Sequence, residues 1–346
     1  MRQISYATAA NEAMLEEMRR DPKAIYLATD APGSLVKEFG DTRVRGTPIT
    51  EAAFTGMAIG AAGSGYRPIV NWSMVTFSFV AMDQIVNQAS KIHYMFGGQA
   101  KFPIVFRASV GGGRQLAAQH SQSPYSMFMN LAGLKMILPS TPYDMKGLLK
   151  SAIRDDNPVI SFESSRLMGL RGEIPDEEYV VPLGKADVKR EGRDVTVVAL
   201  AWMVHEALAA AESLQKEGIS IEVIDPRTLV PMDVETIRAS VRKTGRLVVA
   251  DEAGPTASAA AEICVSDGRS GDIPCTQSAG QTRLRAPGSD SLQSAVGELC
   301  VSRPGEDYRR RARRHAVTMR PRVADIDSGE TPLITISSAT QRRSEP

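Results

Sequence analysis

The stretch TPITEAAFTGMAIGAAGSGYRPIVNW (47–72) decides the fold. Its middle part, EAAFTGMAIGAAGSG (51–65), is rich in glycine and alanine and predicts a tightly packed helix. RPIVNW (67–72) follows after a short turn and predicts a buried strand. A helix that leads directly into a buried strand is typical of a parallel sheet with helical connections.

The same alternation continues on both sides of this stretch and divides the chain in two. Further strands are expected in the first part at 24–28, 102–109, 134–140 and 158–163, with helices at 79–95 and 143–155. The second part predicts strands at 194–200, 219–228 and 246–253, with helices at 203–218 and 232–245. We therefore expect an α/β protein with two doubly wound parallel-sheet domains, residues 1–185 and 186–264, joined by a polar linker near 180–190.

Composition excludes several classes of protein. The 346 residues suffice for two domains, with 42% hydrophobic and 23% charged residues. A net charge of +1 offers no field that would attract nucleic acid or an anionic membrane, and no apolar run reaches the length of about 18 residues that a membrane span needs. Cys264, Cys275 and Cys300 lack metal-ligand spacing, and the N-terminus lacks the apolar region of a signal peptide. We expect a cytoplasmic protein with reduced thiols.

The last part of the chain, residues 265–346, differs from the rest. Hydrophobic periodicity is lost and arginine and serine become frequent. No strand is expected there, and the composition predicts an irregular, disordered tail beyond a truncated second domain.

Several segments together identify a family resemblance. These are the opening stretch (47–72), VTFSFVAMDQIVNQASKIHYMFGG (75–98), PIVFR (103–107), AAQHSQS (117–123) and PRTLVPMDVETI (226–237). They resemble the beta subunits of the pyruvate, branched-chain 2-oxoacid and acetoin dehydrogenase components, which have a transketolase-like, thiamin-diphosphate-dependent fold. The resemblance covers residues 1 to about 263. It implies a pyrimidine-binding transketolase-like domain followed by a transketolase C-terminal domain.

Glu51 is the first candidate catalytic and cofactor-binding residue. An acidic residue at the start of a helix most often serves the helix dipole. The resemblance implies another role, because the matching glutamate of the family hydrogen-bonds N1′ of the aminopyrimidine ring of thiamin diphosphate and favours its imino tautomer. This tautomer takes the proton from the thiazolium ring.

Two further residues are expected at the same site. Phe77 would be a core residue by itself, and the resemblance implies that it packs on the face of the pyrimidine ring. His120 lies in a polar loop after the glycine run GGG (111–113), where a surface position would be the ordinary interpretation. The resemblance implies that this loop faces the substrate, so His120 is expected to bind substrate or transfer a proton.

A potassium site is also implied by the resemblance. The matching positions in some family members hold the ion with backbone carbonyl groups and a carboxylate, which are hard oxygen ligands. They are Ile104, Ala152, Ile153, Asp155 and Asn157. Capping of the helix before Pro158 explains Asp155 and Asn157 equally well.

The diphosphate half of the cofactor site is expected elsewhere. The signature that holds Mg²⁺ and diphosphate, GDG followed about 25–30 residues later by Asn, does not occur in residues 1–263. The resemblance therefore implies an alpha subunit that supplies Mg²⁺, an α2β2 heterotetramer with the active site between subunits, and a lipoyl-bearing acyltransferase as acceptor of the acyl group.

Two interpretations of the function remain open on sequence alone. One is oxidative decarboxylation of a 2-oxoacid or cleavage of acetoin; KIHYMFGG (91–98) and MVHEALAAAE (203–212) favour the acetoin type. The other is a catalytically degenerate subunit that only assembles with an alpha chain. It is favoured by a short loop at 30–36 and by the irregular tail, whereas the intact Glu51, Phe77 and His120 oppose it. Thr29-Asp30 also stands where the family usually has an acidic pair.

The tail also suggests an interrupted reading frame. In one permitted back-translation of AVGELCVSRPGEDY (295–308), a shift by one nucleotide gives LENYVYPGPEKI, which resembles the ending of the family. We therefore expect a frameshift near residues 264–270, and resequencing of the locus decides whether it exists.

Overall fold

The computed structural model describes residues 1–268 and 275–279. In chain order the strands are β1 (Arg2–Ser5), β2 (Ala24–Ala28), β3 (Val44–Gly46), β4 (Arg67–Met74), β5 (Val105–Val110), β6 (Lys135–Ile137), β7 (Val159–Ser164), β8 (Arg171–Ile174), β9 (Asp187–Arg190), β10 (Val195–Ala199), β11 (Ile221–Asp225), β12 (Thr228–Val230), β13 (Leu247–Asp251) and β14 (Cys275–Ala279). The α-helices are α1 (Tyr6–Arg20), α2 (Gly33–Arg43), α3 (Glu51–Gly63), α4 (Ile92–Met95), α5 (Ser126–Met129), α6 (Pro142–Arg154), α7 (Met203–Gln215), α8 (Val234–Thr244) and α9 (Ala259–Gly268).

The first domain is built on a seven-stranded sheet with the order β12-β6-β7-β5-β4-β2-β3. Strands β2 to β7 pair parallel with one another, and β12 at the edge is antiparallel. Central strands are apolar on both faces, as expected for a sheet covered by helices on both sides. In β4, Ile69 packs into the core beneath α1 and α6, whereas Val70 packs into the core beneath α3. The predicted doubly wound α/β architecture is therefore confirmed.

Local sequence explains where the helices of this domain begin. The Ser5 hydroxyl accepts from the backbone N–H of Thr8 and caps α1. Thr141 caps α6 in the same way through Asp144, and Pro142 occupies the first turn, where its missing N–H has no consequence. Both helices lie on the same face of the sheet and pack against each other.

The second domain has a five-stranded sheet with the order β14-β13-β10-β11-β9. Its strands β10, β11 and β13 are fully buried, and most of their residues are β-branched or aliphatic, which is typical of the centre of a parallel sheet. α7 packs on one face of these strands and α8 on the other.

One predicted strand, 219–228, divides between the two sheets. Strand β11 stops at Asp225, and Pro226 together with Arg227, whose φ is +57°, turns the chain. β12 then joins the first sheet antiparallel to β6. A strand from the second part of the chain thereby forms the edge of the first domain's sheet.

The helix predicted at 79–95 is not continuous. A 3₁₀ helix covers Val75–Ala81, a π-helical turn covers Gln84–Ala89, and only α4 is regular. The hydroxyl groups of Ser78 and Ser90 donate to the carbonyl groups of Val75 and Val86. Such side-chain bonds compete with the backbone ladder and favour irregular turns.

Antiparallel edge strands accompany the predicted parallel sheets, because β9 pairs antiparallel with β11, as β12 does with β6. Two further expectations were wrong. A strand does follow residue 265, since β14 pairs parallel with β13. Cys264 is disulfide-bonded, against the expectation of reduced thiols. The remainder of the expected disordered tail and the expected frameshift near 264–270 lie largely outside the described residues.

A buried ion pair ties β5 to β7 in the middle of the first sheet. Arg107 donates from Nε and Nη2 to the two oxygens of Glu163 at 2.7 and 2.9 Å. The two side chains are only 9% and 6% exposed. A fork of this kind fixes both side chains, and the loss of one partner leaves a buried charge without compensation.

Glu163→Ala is therefore expected to lower the free energy of unfolding by about 3–5 kcal/mol. Chemical denaturation followed by circular dichroism measures the effect. Glu38→Ala is the matched control, because Glu38 forms an exposed pair with Arg19 and its loss should shift the midpoint little. Equal effects of the two variants would contradict the structural importance of the buried pair.

Candidate active site

Three segments that follow parallel strands bring the predicted site residues to one edge of the first sheet. Glu51 follows β3, Phe77 follows β4 and His120 follows β5. The carboxyl ends of parallel strands lie at the same edge, and this edge is where ligands bind in open α/β sheets.

Glu51 is the first residue of α3 and is only 8% exposed. Within the described residues, its carboxylate has neither a hydrogen bond nor an ion pair. α3 packs against the 3₁₀ helix that carries Phe77, and the Trp72 indole donates to Thr55 of α3 at 3.0 Å. The residue is largely buried, but its oxygens are not among the fully buried polar atoms without a partner, so the carboxylate remains open to a donor that does not belong to this chain.

Phe77 and His120 contact each other directly. Their rings meet edge to face with centroids 5.2 Å apart. The hydroxyl of Thr76 donates to the carbonyl oxygen of Gln119 and holds the two segments together. Phe77 is half-buried against the core, and Nδ1 of His120 is buried without a hydrogen-bond partner. The structure therefore brings together two of the predicted residues and leaves a buried polar ring atom without a partner, which is uncommon in a folded protein.

The predicted site residues do not line either of two cavities found in the described part of the chain. Two cavities of about 440 and 430 Å³ are lined by other residues, the first beside α6 and His205 and the second beside α1 and Arg107. Glu51, Phe77 and His120 line neither of them. We therefore assign the site from its unpartnered polar groups and not from cavity size.

Residues predicted to bind potassium lie around the guanidinium group of Arg67, which is a cation of the same chain. Nη1 of Arg67 donates to the carbonyl oxygens of Ile153 and Asp155 at 3.2 and 2.9 Å. Burial alone raises the pKa of the Asp155 carboxyl, but hydrogen bonds from Lys135 and Asn157 hold that pKa below its ordinary value. A potassium ion on these oxygens would stand beside the guanidinium charge, so the arrangement does not fit the ion.

The other two predicted potassium ligands are engaged within the backbone. The carbonyl oxygen of Ile104 accepts from the N–H of Val159, and that of Ala152 accepts from the N–H of Asp155. These bonds belong to the sheet and to the end of α6. The alternative interpretation, capping of this helix, agrees with them.

A charged group near the His120 loop was missed by the sequence analysis. Asp251 is the last residue of β13 in the second domain and Glu252 follows it. Glu252 forms an ion pair with Arg166 at 3.2 Å. Burial raises the pKa of Asp251 to about 6 and that of Glu252 to about 7. The available signal was the pair of acids in RLVVADEA (246–253), because acidic residues directly after a buried parallel strand lie at the functional edge.

The raised pKa of Glu252 predicts the pH dependence of stability. The ordinary pKa of 4.5 in the unfolded chain lies below the folded value of about 7, so the folded state holds the proton more tightly. The favourable contribution of Glu252 to the free energy of unfolding is fully present below about pH 4.5, and it is lost as the pH rises to about 7. The melting temperature of Glu252→Gln should therefore rise relative to that of the unmodified chain over this interval. A constant difference between the two would contradict the assignment.

Comparison with known proteins identifies both domains. Residues 2–169 match the model of the transketolase pyrimidine-binding domain, and residues 184–298 match that of the transketolase C-terminal domain. The second match extends beyond residues 264–270, where the frameshift was expected.

Curated relatives and a solved structure agree with these matches. The beta subunit of acetoin:2,6-dichlorophenolindophenol oxidoreductase of Cupriavidus necator is 47% identical over 281 residues, 76% of this chain and 83% of the relative. The beta subunit of 2-oxoisovalerate dehydrogenase of Bacillus subtilis is 46% identical over 259 residues, 72% and 79% of the two chains. A split-gene transketolase, solved as an inactive beta4 tetramer, has a TM-score of 0.73 at 24% identity and covers 85% of this chain and 97% of its own; it shows the fold alone. The chain therefore belongs to the transketolase-like family that includes the beta subunits of acetoin and 2-oxoacid dehydrogenases.

Proposed function

We propose that this chain is the beta subunit of a thiamin-diphosphate-dependent dehydrogenase component. The reaction is cleavage of acetoin or oxidative decarboxylation of a 2-oxoacid, with transfer of the acyl group to lipoamide. The single observation that carries the proposal is the nearly buried Glu51 carboxylate, which has no donor among the described residues. It stands at the sheet edge where the segments of Phe77 and His120 meet.

The residues of this chain bind one half of the cofactor in the proposal. Glu51 accepts a hydrogen bond from the aminopyrimidine ring, and its burial strengthens that bond. Phe77 offers an aromatic surface to the same ring. When bound, thiamin diphosphate supplies the nucleophilic carbon and the electron sink for cleavage next to a carbonyl group.

His120 serves the substrate side of the site. Its Nδ1 atom is buried and unpartnered, and its ring is oriented by the edge contact with Phe77. An imidazole can donate a proton or a hydrogen bond to the substrate oxygen near neutral pH. Water is excluded from the buried side of the ring, which strengthens this interaction.

An alpha subunit completes the site in the proposal by holding Mg²⁺ and the diphosphate group. Exposed apolar side chains on the elements around Glu51 support assembly. They are Ile49, Met57, Phe79, Val80, Tyr94, Met95 and Phe96, with exposed fractions from 37% to 88%. Apolar surface at this density is typical of a protein–protein interface, and we propose an α2β2 heterotetramer. A lipoyl-bearing acyltransferase is the proposed acceptor.

Glu51→Gln tests the catalytic assignment. An amide keeps the shape but cannot support proton movement at the cofactor, so turnover should fall by at least about 100-fold. Reduction of 2,6-dichlorophenolindophenol by the reconstituted complex, with acetoin and with 2-oxoacids in parallel, measures the rate. The control is Glu235→Gln, an exposed acid in the first turn of α8, which should leave the rate unchanged. Full activity of Glu51→Gln would refute the proposal.

Gly60→Leu tests assembly. Gly60 is exposed on α3, and a Cβ there meets no atom within 4 Å, so leucine fits in the isolated chain. Leucine should even stabilise the helix by about 1 kcal/mol, while it blocks close approach of a partner subunit. Analytical ultracentrifugation of the coexpressed subunits should show no heterotetramer.

The matched control for Gly60→Leu is Ala209→Leu, at an exposed position of α7. This variant should assemble normally. Assembly of Gly60→Leu to the same extent would show that this face of α3 is not an interface.

A further inference from the structure

The loop that carries His120 is closed on itself. The backbone N–H of Gly111, at the end of β5, donates to the carbonyl oxygen of Gln122 at 2.9 Å. The loop between these residues therefore has a fixed base, and its tip carries His120 beside Phe77. Contacts at the base decide where the imidazole lies.

The second domain holds one end of this base. The hydroxyl of Tyr125 donates to Oδ1 of Asp251, and both residues are buried, with exposed fractions of 2% and 1%. The backbone N–H of Ala253 donates to the same oxygen at 3.0 Å and fixes the orientation of the carboxyl group. Tyr125 stands five residues after His120, so this bond sets the exit of the loop.

The second domain also holds the other end. Arg166 donates to the carbonyl oxygen of Gly112 at 3.3 Å and pairs with Glu252 at 3.2 Å. A Cβ at position 111 would lie 2.8 Å from Oε2 of Glu252, and one at position 113 would lie 2.5 Å from Nε of Arg166. The close approach of this ion pair, together with φ values of +86° and +97°, explains the glycine run.

We propose that Asp251, through Tyr125, and Glu252, through Arg166, are positioning residues for His120, so that the second domain sets the geometry of the substrate side of the site. The inference rests on the proposed function of His120. Neither acid touches the imidazole; each acts on the loop. Displacement of a catalytic group by about 1 Å can lower a rate by two orders of magnitude.

Tyr125→Phe in the reconstituted heterotetramer is the primary test. The variant removes only the hydroxyl that binds Asp251. We expect kcat to fall by about 10-fold or more, with the dissociation constant of thiamin diphosphate unchanged within about twofold, because Glu51 and Phe77 are not attached to this contact. Asp251→Asn should retain the rate, since the amide oxygen still accepts from Tyr125 and from the N–H of Ala253.

Tyr6→Phe is the matched control. Tyr6 is fully buried, and its hydroxyl donates to the carbonyl oxygen of Pro139 at 3.2 Å, away from the His120 loop. It reports the cost of deleting a buried tyrosine hydroxyl in general. A fall in kcat that is equal in Tyr6→Phe and Tyr125→Phe, or absent from both, overturns the inference.

A double-variant cycle with His120→Ala separates positioning from a general structural effect. If Tyr125 acts through His120, Tyr125→Phe should not lower kcat further in the His120→Ala background. Independent, multiplicative losses overturn the inference. If Glu51→Gln is inactive and the losses of kcat from Tyr125→Phe and His120→Ala multiply, only the inference about positioning is refuted. If Glu51→Gln is active and the effects of Tyr125→Phe and His120→Ala on kcat are coupled, only the proposed function of Glu51 is refuted.

Discussion

The parallel direction of strands β2 to β7 is the constraint on which the rest of the molecule depends. It places the carboxyl ends of successive strands at one edge, so that segments far apart in sequence meet there. Glu51, Phe77 and His120 come from three such segments. The sheet can be parallel because its strands are buried on both faces, and the small residues of α3 allow a helix to cover one of them closely.

The same edge explains why the chain is incomplete by itself. A nearly buried carboxylate and a buried imidazole nitrogen, neither with a partner among the described residues, are groups that a folded protein ordinarily satisfies. The apolar side chains exposed beside them are equally unfavourable in water. Both features become favourable when a cofactor and a second subunit cover this edge. The free-energy cost of leaving this edge uncovered in the isolated chain therefore indicates assembly.

Contacts between the domains serve the site as well as the fold. β12 leaves the second domain to extend the first sheet, and Asp251 and Glu252 reach back from the end of β13 to the His120 loop. Both acids are buried at the carboxyl end of a parallel strand, which is the edge where ligands bind in open α/β sheets. Their raised pKa values follow from that burial. The His120 loop is thus attached to both domains.

Hydrophobic periodicity determined the class of fold and most strands and helices, because it reports directly which faces are buried. The roles expected for Glu51, Phe77 and His120 came from the family resemblance, and they remain predictions. Sequence alone missed the division of 219–228 between two sheets, the irregular turns at 75–95 and strand β14, since these depend on contacts with distant segments. It also placed potassium ligands where Arg67, remote in sequence, supplies the charge. Only the tertiary structure showed the attachment of the His120 loop to Asp251 and Glu252, because long-range approach of buried charges leaves no periodic pattern in the chain.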